Sequence, residues 1–356
     1  MREQIEALAR AGAEPVLFCY GSGSGPRAGA FECVRVPPAI SPRRTRAGPG
    51  AAKLLADPAL AALLVAAHRR RRFDALLAHN AEAALAALAV RPLLRRPVVY
   101  AMHTLLGEEL ECYLPRGLAR AAARVGSGLD RALAARADGV LALCEAAARR
   151  LAPHARGPVR VIPPGLDPQP PPARPEQERA CARAGVAPAR FALYAGNLDR
   201  YQDLGLLEGA ARAAPGLPIV VATHEEPPRE RGSLRFVRVA RADEARALLF
   251  SAAVALLPRR RPGGFPIKLL NYMEAARPIV AHRGVADGLV HGESAWLLED
   301  ADGADALAAA LRALARDPGL AARLGAGARA LLEARHAWPA LARRTLALLE
   351  EARLRG

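Results

Sequence analysis

Lysine is nearly absent from this chain of 356 residues, although the chain is strongly basic. Only Lys53 and Lys268 are lysines, so arginine supplies almost all of the positive charge. Aromatic residues make up only 4% of the sequence, which leaves few rings to stack on bases, and no nucleic-acid-binding motif occurs. The net charge of +16 therefore does not predict a nucleic-acid partner.

The positive charge is concentrated in the first half of the chain. Residues 1–165 hold 24 Arg and Lys against 13 Asp and Glu, whereas the remainder holds 27 against 22. A basic face in the first half could dock on an anionic membrane surface, or it could be a solvated arginine-rich surface. Both alternatives stay open at the level of sequence.

Cysteines and carboxylates do not form recognisable ligand sets in the sequence. The cysteines are Cys19, Cys33, Cys112, Cys144 and Cys181, with no close pair, which fits neither a zinc site nor a disulfide framework. No DxD-like group of carboxylates occurs, so we expect a metal-independent protein. No apolar run approaches the roughly 18–20 residues that span a bilayer. A cytoplasmic location with, at most, peripheral membrane contact is expected.

Strand-like and helix-like segments alternate, which predicts an α/β fold with parallel sheets covered by helices. Predicted strands in the first half are 15–20, 31–36, 74–79, 97–103, 138–144 and 159–162, with helices near 50–72 and 117–136. Predicted strands in the second half are 191–197, 218–223, 234–239, 254–257 and 278–282. Clustered prolines predict a linker over 164–190 between domains at 1–163 and 191–338.

The stretch GGFPIKLLNYME, from Gly263 to Glu274, is the most informative motif. The two glycines are predicted to open a helix whose backbone N–H groups and dipole favour phosphate. A buried stripe is predicted from the apolar residues Phe265, Ile267, Leu269, Leu270 and Met273, while Lys268 and Asn271 can face a ligand. A buried strand is predicted next, over 279–281, and this succession is how doubly wound proteins bind nucleotides.

The glycine motif and several other segments resemble the family-4 glycosyltransferases of the group-1 type, which are retaining enzymes of the GT-B fold. The other matching segments are Val99–His103, Val159–Asp167, Tyr194–Asp199 and His291–Leu298. The resemblance covers nearly the whole chain. It implies two facing Rossmann-like doubly wound domains, with a last helix over 339–356 that crosses back to the first domain.

The resemblance also implies roles for individual residues. The second domain should bind a UDP- or GDP-linked hexose as co-substrate, without a further cofactor, and the first should bind a lipid-linked or polysaccharide-precursor acceptor. Candidate donor-binding residues are Gly196, Asn197, Gln202, Gly263, Gly264, Phe265, Pro266, Ile267, Lys268, Asn271 and Asp287. His103 is the candidate catalytic residue, able to bind the acceptor hydroxyl or take its proton with a pKa near working pH. His79 and Glu109 are candidate acceptor-binding residues.

Four positions depart from the family pattern. Asn197 and Gln202 replace a common arginine and lysine, and Gly263 and Asn271 replace two glutamates. These departures indicate either a rebuilt or an inactive donor site.

In a rebuilt site, Lys268, Arg200 and the run 259–261 could supply positive charge. In an inactive one, the protein would be a GT-B scaffold in glycan assembly. A sugar-nucleotide epimerase, which shares the architecture, is a further alternative.

The usual pattern of this fold leads us to expect a first strand in the N-terminal domain that has no counterpart here, because the sequence opens on the helix that should follow it. A doubly wound sheet normally opens with a strand and a glycine-rich turn, and that strand lies in the middle of the sheet. Without it, two neighbouring strands lose hydrogen bonds, at about 1–3 kcal/mol per buried unpaired group. The sequence therefore leads to the expectation that the chain is truncated at its start.

Overall fold

The computed structural model describes residues 2–22, 31–42, 51–114, 116–199, 201–228, 232–260 and 263–355. The strands in these ranges are β1 (Val16–Cys19), β2 (Glu32–Arg35), β3 (Leu76–His79), β4 (Val98–Met102), β5 (Gly139–Ala142), β6 (Val159–Val161), β7 (Ala192–Ala195), β8 (Ile219–Thr223), β9 (Arg235–Arg238), β10 (Val254–Leu257), β11 (Ile279–His282) and β12 (Trp296–Leu298). The helices are α1 (Arg2–Arg10), α2 (Ala51–Arg70), α3 (Asn80–Leu94), α4 (Leu106–Tyr113), α5 (Arg116–Arg136), α6 (Glu145–Leu151), α7 (Arg174–Ala184), α8 (Leu204–Ala213), α9 (Ala242–Ser251), α10 (Lys268–Glu274), α11 (Ala304–Arg316), α12 (Pro318–Arg335) and α13 (Trp338–Arg355). None of the helices in the described ranges is both long enough and apolar enough to cross a bilayer.

The chain divides into two compact units. The first contains Met1–Gly165, Gly263–Phe265 and Trp338–Gly356, and the second contains Leu166–Pro262 and Pro266–Ala337. The segment predicted as a linker, 164–190, includes helix α7, which packs against α9 inside the second unit. Every named strand pairs with its neighbours in parallel, so the predicted doubly wound α/β fold is confirmed.

The first unit contains two parallel sheets. Strands β1 and β2 form one sheet, and β3, β4, β5 and β6 form the other in that order. In the described part of the chain, no strand joins β1 to β3 by hydrogen bonds.

Strand β4 forms the centre of the four-stranded sheet. All five of its residues are buried, because β3 and β5 flank it and helices pack on the sheet. A continuous apolar run such as VVYAM is typical of a parallel strand covered on both faces. Helix α13 packs against α1 and β5, and its first residue, Trp338, is buried with Nε1 3.2 Å from Glu3 Oε2.

The second unit contains one six-stranded sheet in the order β12–β11–β10–β7–β8–β9. From β7 the chain passes through β8 to β9 at one edge, and then returns to place β10 on the other side of β7. Strand order therefore reverses between β7 and β10. In open α/β sheets, ligands bind outside the carboxyl ends of the strands at such a point.

Two cysteines that are distant in the sequence are neighbours in the structure. Cys19 on β1 and Cys33 on β2 place their Sγ atoms 3.7 Å apart. These cysteines are 14 positions apart in the sequence, and the pairing of β1 with β2 brings them together. Burial, and secondarily the contact with Cys33, raises the pKa of the Cys19 thiol to about 11, so the thiol is a weak nucleophile at neutral pH.

Candidate functional site

Helix α10 begins at Lys268, five positions after Gly263. The prediction that the glycine pair opens this helix is therefore wrong. In the first turn, the N–H of Leu269 donates to Pro266 O at 2.8 Å and that of Leu270 to Ile267 O at 3.1 Å. These two N–H groups are thus satisfied by the chain itself.

The glycine pair makes a close backbone contact within the first unit. Leu105 N donates to Gly263 O at 2.8 Å, and Gly264 forms an antiparallel bridge with Thr104. A Cβ atom on Gly264 would lie 2.2 Å from the carbonyl oxygen of His103, so only glycine fits without a backbone shift. This contact gives a structural reason for Gly264, and donor binding by the glycine pair stays a prediction.

The Lys268 ammonium lies at the carboxyl end of β7. Its Nζ is 2.9 Å from the Tyr194 hydroxyl and 4.4 Å from the centre of the Tyr194 ring. A Cβ atom on Gly196 would lie 2.5 Å from the same Nζ, so the glycine provides the space that the ammonium occupies. Together with Asn197 and Gln202, these residues are called the Lys268 cluster below.

Burial, together with repulsion by Arg259, lowers the pKa of Lys268 to about 7, although the Asp199 carboxylate opposes the shift. Near neutral pH the side chain therefore exists in both protonation states. An anionic ligand would favour the ammonium and restore the charge. The cluster thus contains a cation whose charge depends on what binds beside it.

The two amides of the Lys268 cluster bind to each other. Gln202 Nε2 donates to Asn197 Oδ1 at 3.3 Å, and Asn197 Nδ2 also contacts the carboxylate of Asp199 and, at 3.0 Å, the hydroxyl of Tyr201. Gln202 is buried, and its Oε1 has no hydrogen-bond partner in the described part of the chain. A buried acceptor without a partner can receive a hydrogen bond from a ligand.

The basic run after β10 is only partly placed near the cluster. The guanidinium of Arg259 lies 5.3 Å from the centre of the Tyr201 ring. Arg260 instead donates to Asp203 at 2.9 Å, which makes it a structural residue. Arg200 and Arg261, which sequence analysis offered as further cations, lie outside the described residues.

The remaining candidate donor residues differ in exposure. Pro266 and Phe265 are buried, whereas Ile267 is 55% exposed, which corrects its assignment to the buried stripe of the motif. Asn271 is exposed on α10, and Asp287 is half-buried after β11. Their predicted roles in donor binding stay predictions.

His79 and His103 form a contacting pair in the first unit. His79 is the last residue of β3, and His103 comes directly after the neighbouring strand β4. His79 Nδ1 lies 2.8 Å from His103 Nε2. The rings are nearly perpendicular, with centroids 5.1 Å apart. One imidazole N–H therefore donates to the ring nitrogen of the other, and the tautomers decide which ring is the donor.

Burial, and secondarily the proximity of His103, lowers the pKa of His79 to about 3, and burial lowers that of His103 to about 4. Both rings are consequently neutral at physiological pH. The expectation that His103 has a pKa near working pH is wrong, because the strand ends bury the ring. A neutral imidazole still donates and accepts hydrogen bonds, so His103 can orient a hydroxyl group.

The acidic turn after His103 is held by a hydrogen bond to Asp130, a residue that was not predicted from the sequence. Asp130 on α5 is buried and accepts from the N–H of Gly107, in the first turn of α4, at 3.3 Å. Burial raises the pKa of Asp130 to about 6. Glu108 forms an ion pair with Arg150, whereas Glu109 is half-buried, and its role at the acceptor stays a prediction.

The two tyrosines that hold the end of β7 were not predicted as site residues from the sequence. The Tyr194 hydroxyl donates to Asn197 O at 2.6 Å, and Ala195 N donates to the Tyr272 hydroxyl at 3.2 Å. Signals for both were present, since Tyr194 is two residues before Gly196 and Tyr272 is one helical turn after Lys268.

No three His, Cys, Asp or Glu side chains come together as possible metal ligands in the residues that the structure describes. The arrangement at β7 combines the Lys268 ammonium with two amides and the Asp199 carboxylate, and the ammonium suits phosphate oxygens. Metal independence itself stays a prediction from the sequence.

Comparison with sequence families gives two matches that together cover most of the chain. Residues 1–170 match "Glycosyltransferase Family 4", and residues 209–317 match "Glycosyl transferases group 1". The second match contains Lys268, and the first contains both histidines of the pair. No curated protein sequence matches the chain.

Solved structures with the same fold are similar over nearly the whole chain. Sucrose-phosphate synthase from Thermosynechococcus elongatus is 20% identical, with a TM-score of 0.77, and the match covers 100% of this chain and 93% of that one. HepE from Anabaena in complex with UDP-glucose is 15% identical, with a TM-score of 0.67 and coverage of 94% and 99%. WaaG, a glycosyltransferase involved in lipopolysaccharide biosynthesis, is 15% identical, with a TM-score of 0.65 and coverage of 99% and 93%. At these identities the likeness establishes the fold, and the two family matches establish that this chain belongs to the family-4, group-1 glycosyltransferases of the GT-B type.

Proposed function

We propose that this glycosyltransferase moves a hexose from a UDP- or GDP-linked donor, with retention of anomeric configuration, onto a lipid-linked or polysaccharide-precursor acceptor. The observation that carries the proposal is the position of Lys268. Its ammonium lies beside Gly196 at the point where strand order reverses between β7 and β10. This is where a doubly wound sheet binds nucleotides.

The chemistry of the Lys268 cluster suits a departing diphosphate. Negative charge develops on the diphosphate as the glycosidic bond breaks, and fixed donors directed at that charge lower the barrier. The Lys268 ammonium is a donor of this kind, and Arg259 adds positive charge nearby. The structure of HepE with UDP-glucose supports a nucleotide sugar as the ligand.

In the proposed reaction, His103 orients the acceptor hydroxyl as a neutral hydrogen-bonding group. Its contact with His79 holds the ring in place. Because the pKa of His103 is only about 4, the ring is too weak a base to retain a proton at neutral pH. The reaction is proposed to need no metal ion.

We further propose that the protein acts in the cytoplasm, peripherally on the inner membrane face, in the synthesis of a cell-envelope polysaccharide. The excess of arginine in the first half of the sequence supports attraction to anionic lipid. The role of WaaG in lipopolysaccharide biosynthesis is consistent with an envelope acceptor.

The test is calorimetric titration with UDP, GDP, UDP-glucose and GDP-mannose. Wild type, Lys268→Ala and Lys53→Ala would be compared, the last being a matched control at the other lysine of the chain, which pairs with Glu82. We expect micromolar binding of one nucleotide class, a loss of at least about tenfold in Lys268→Ala, and no change in Lys53→Ala. Circular dichroism would verify that each variant is folded.

Absence of binding by folded wild type would contradict the proposal and favour the inactive scaffold. If binding occurs, incubation without acceptor distinguishes a glycosyltransferase from a sugar-nucleotide epimerase, because an epimerase converts the donor sugar in the absence of acceptor. Transfer to an acceptor, with the anomeric configuration read by NMR, tests retention directly. Addition of a chelator tests metal independence.

A further inference from the structure

Five arginines at the ends of α2 and α3 have no acidic partner. They are Arg69, Arg70, Arg72, Arg95 and Arg96, and none forms an ion pair with any residue that the structure describes. The neighbouring Arg71 differs, because it pairs with Glu14 and Glu32. The group of five is called the arginine patch below.

The arginine patch joins residues from the ends of two helices, because Arg72, Arg95 and Arg96 line one hollow. Helices α2 and α3 pack against each other, and Arg95 follows the last residue of α3 in a left-handed conformation with φ of 53°. Burial lowers the pKa of His68, and the nearby charges of Arg72 and Arg96 lower it further. Charges from both helix ends therefore act on one buried ring. Like charges held together without a counterion create a strong local positive potential.

An apolar groove adjoins the arginine patch. It lies between α2 and α3, with a volume of about 620 Å³, and small apolar side chains such as Ala62, Val65 and Ala89 line it. Leu93, which is 72% exposed, lies at the junction, because it lines both the groove and the hollow formed by Arg72, Arg95 and Arg96. Leu85 is also exposed along the groove.

We propose that the arginine patch and this groove form the surface by which the protein docks on an anionic lipid membrane. The inference deepens the peripheral membrane attachment proposed above and rests on it. In the docked state, the guanidinium groups bind lipid phosphates, and Leu93 enters the boundary between headgroups and acyl chains.

The combination of charge and apolar surface favours a membrane over other partners. Guanidinium groups match phosphate oxygens in a bidentate geometry, and an adjacent apolar strip is typical of interfacial elements. A second copy of this chain is disfavoured, because a twofold contact would bring two arginine patches together. A nucleic acid would leave Leu93 and the groove without a suitable contact, since no aromatic ring lines either surface.

The test is flotation of the full-length protein with two kinds of vesicle. One kind contains phosphatidylcholine alone, and the other an equimolar mixture of phosphatidylcholine and phosphatidylglycerol. We expect binding only to the anionic vesicles. Each cation near the surface changes partitioning by a factor of about five, so Arg69→Glu/Arg72→Glu/Arg95→Glu should reduce binding at least about 100-fold.

A charge-matched control separates this surface from a general effect of net charge. Arg179, Arg316 and Arg323 are exposed residues of the second unit and form no ion pair in the described part of the chain. Their triple glutamate variant undergoes the same change in net charge. It should retain most of the vesicle binding, and an equal loss in both triple variants would overturn the proposal.

A matched pair of leucine variants tests the apolar contribution to vesicle binding. Leu93→Ser should weaken binding to anionic vesicles, whereas Leu354→Ser, at a leucine that is 76% exposed on α13, should not. The pair Leu118→Ser/Val125→Ser tests another exposed apolar face, on α5. A loss in that variant with none in Leu93→Ser would overturn the proposal.

Two further measurements keep this inference distinct from the donor-site proposal. Nucleotide titration in the absence of vesicles should give the same affinity for wild type and the arginine variants, so a failure of either proposal is visible separately. Light scattering should show that the arginine substitutions leave the oligomeric state unchanged. Dissociation of an oligomer by these substitutions, with no vesicle binding by wild type, would assign the surface to self-association and overturn the proposal.

Discussion

Lys268 Nζ lies 2.9 Å from the hydroxyl oxygen of Tyr194, whose own proton is donated to Asn197 O at 2.6 Å. Because the hydroxyl proton is already used, its oxygen is free to accept from the ammonium. The ring of Tyr194 covers the same cation at 4.4 Å and shields it from water. This one side chain therefore both holds the lysine and contributes to its burial, which lowers the pKa of Lys268 to about 7.

Binding of a nucleotide sugar should take up a proton at pH 8. The diphosphate favours the ammonium form of Lys268, and at this pH most of the unliganded protein has lost that proton, because the pKa is about 7. The dissociation constant should rise by up to about tenfold per pH unit above pH 7, the limit for one linked proton. Titration of UDP-glucose and GDP-mannose in buffers of different ionisation enthalpy measures the uptake.

Lys268→Arg is the informative control for this pH dependence, because arginine stays protonated throughout the range. Any affinity that the arginine variant retains should be independent of pH between 7 and 9. Equal heats in all buffers for wild type would contradict the prediction, since they would mean that no proton is taken up.

Lys268→Met should stabilise the protein at neutral pH. The lysine pKa is lower in the folded state than its ordinary value of 10.5, so the unfolded chain binds more protons between pH 7 and 10.5, and wild-type stability rises with pH across that window. Below pH 7 the full cost of burying the ammonium is present. Methionine removes that cost, and we expect a gain of about 1–2 kcal/mol at pH 7.

The gain from Lys268→Met should decrease as pH rises from 7 towards 10, which distinguishes relief of a buried charge from better packing. Urea unfolding at several pH values measures it. A constant difference between the two proteins at every pH would show that the lysine is not desolvated.

The fold could be predicted from the sequence because its signals are local and repeated. Apolar runs such as VVYAM at β4 and the strand before Gly196 are continuous, which is characteristic of buried parallel strands. Their alternation with helical segments is enough to indicate a doubly wound fold. The boundaries of α10 were less predictable, since a glycine pair marks either a helix start or a close backbone approach.

The candidate site was less predictable, because its chemistry depends on neighbours that are distant in the sequence. His103 was identified at a strand end, but its low pKa depends on burial and on neighbouring groups that no spacing in the sequence reveals. Similarly, the Tyr194 hydroxyl meets Lys268 across 74 positions of the chain. Motif spacing identifies which residues lie near a site, whereas protonation and hydrogen-bond partners follow only from the folded structure.

The histidine pair should make the first unit sensitive to acid. Both pKa values are lower in the folded protein than the ordinary 6.5, so the unfolded chain binds more protons between about pH 4 and 6.5. Stability should therefore be fully present above pH 6.5 and fall as pH decreases, by up to about 1.4 kcal/mol per pH unit for each ring. Urea midpoints measured from pH 7.5 to 4.5 test this dependence.

The double variant His79→Gln/His103→Gln isolates the contribution of the pair from that of the carboxylates. It should be less stable than wild type at pH 7.5, because the 2.8 Å contact is lost, and its stability should fall less steeply with acid. The two curves should converge towards pH 4.5. Parallel curves would mean that the rings titrate normally in the folded protein.

Gly264→Ala should destabilise the first unit through a backbone collision. The added methyl group would lie 2.2 Å from the carbonyl oxygen of His103, and no side-chain rotation relieves a contact with backbone. We expect a cost of about 1–3 kcal/mol, as is typical of overpacking.

Gly216→Ala is the matched control, because a Cβ atom there meets nothing within 4 Å. Thermal unfolding should show a lower midpoint for Gly264→Ala and little change for the control. Equal midpoints for both variants would show that the segment 263–265 is not held against His103, and the glycine would then have to be explained by ligand binding alone.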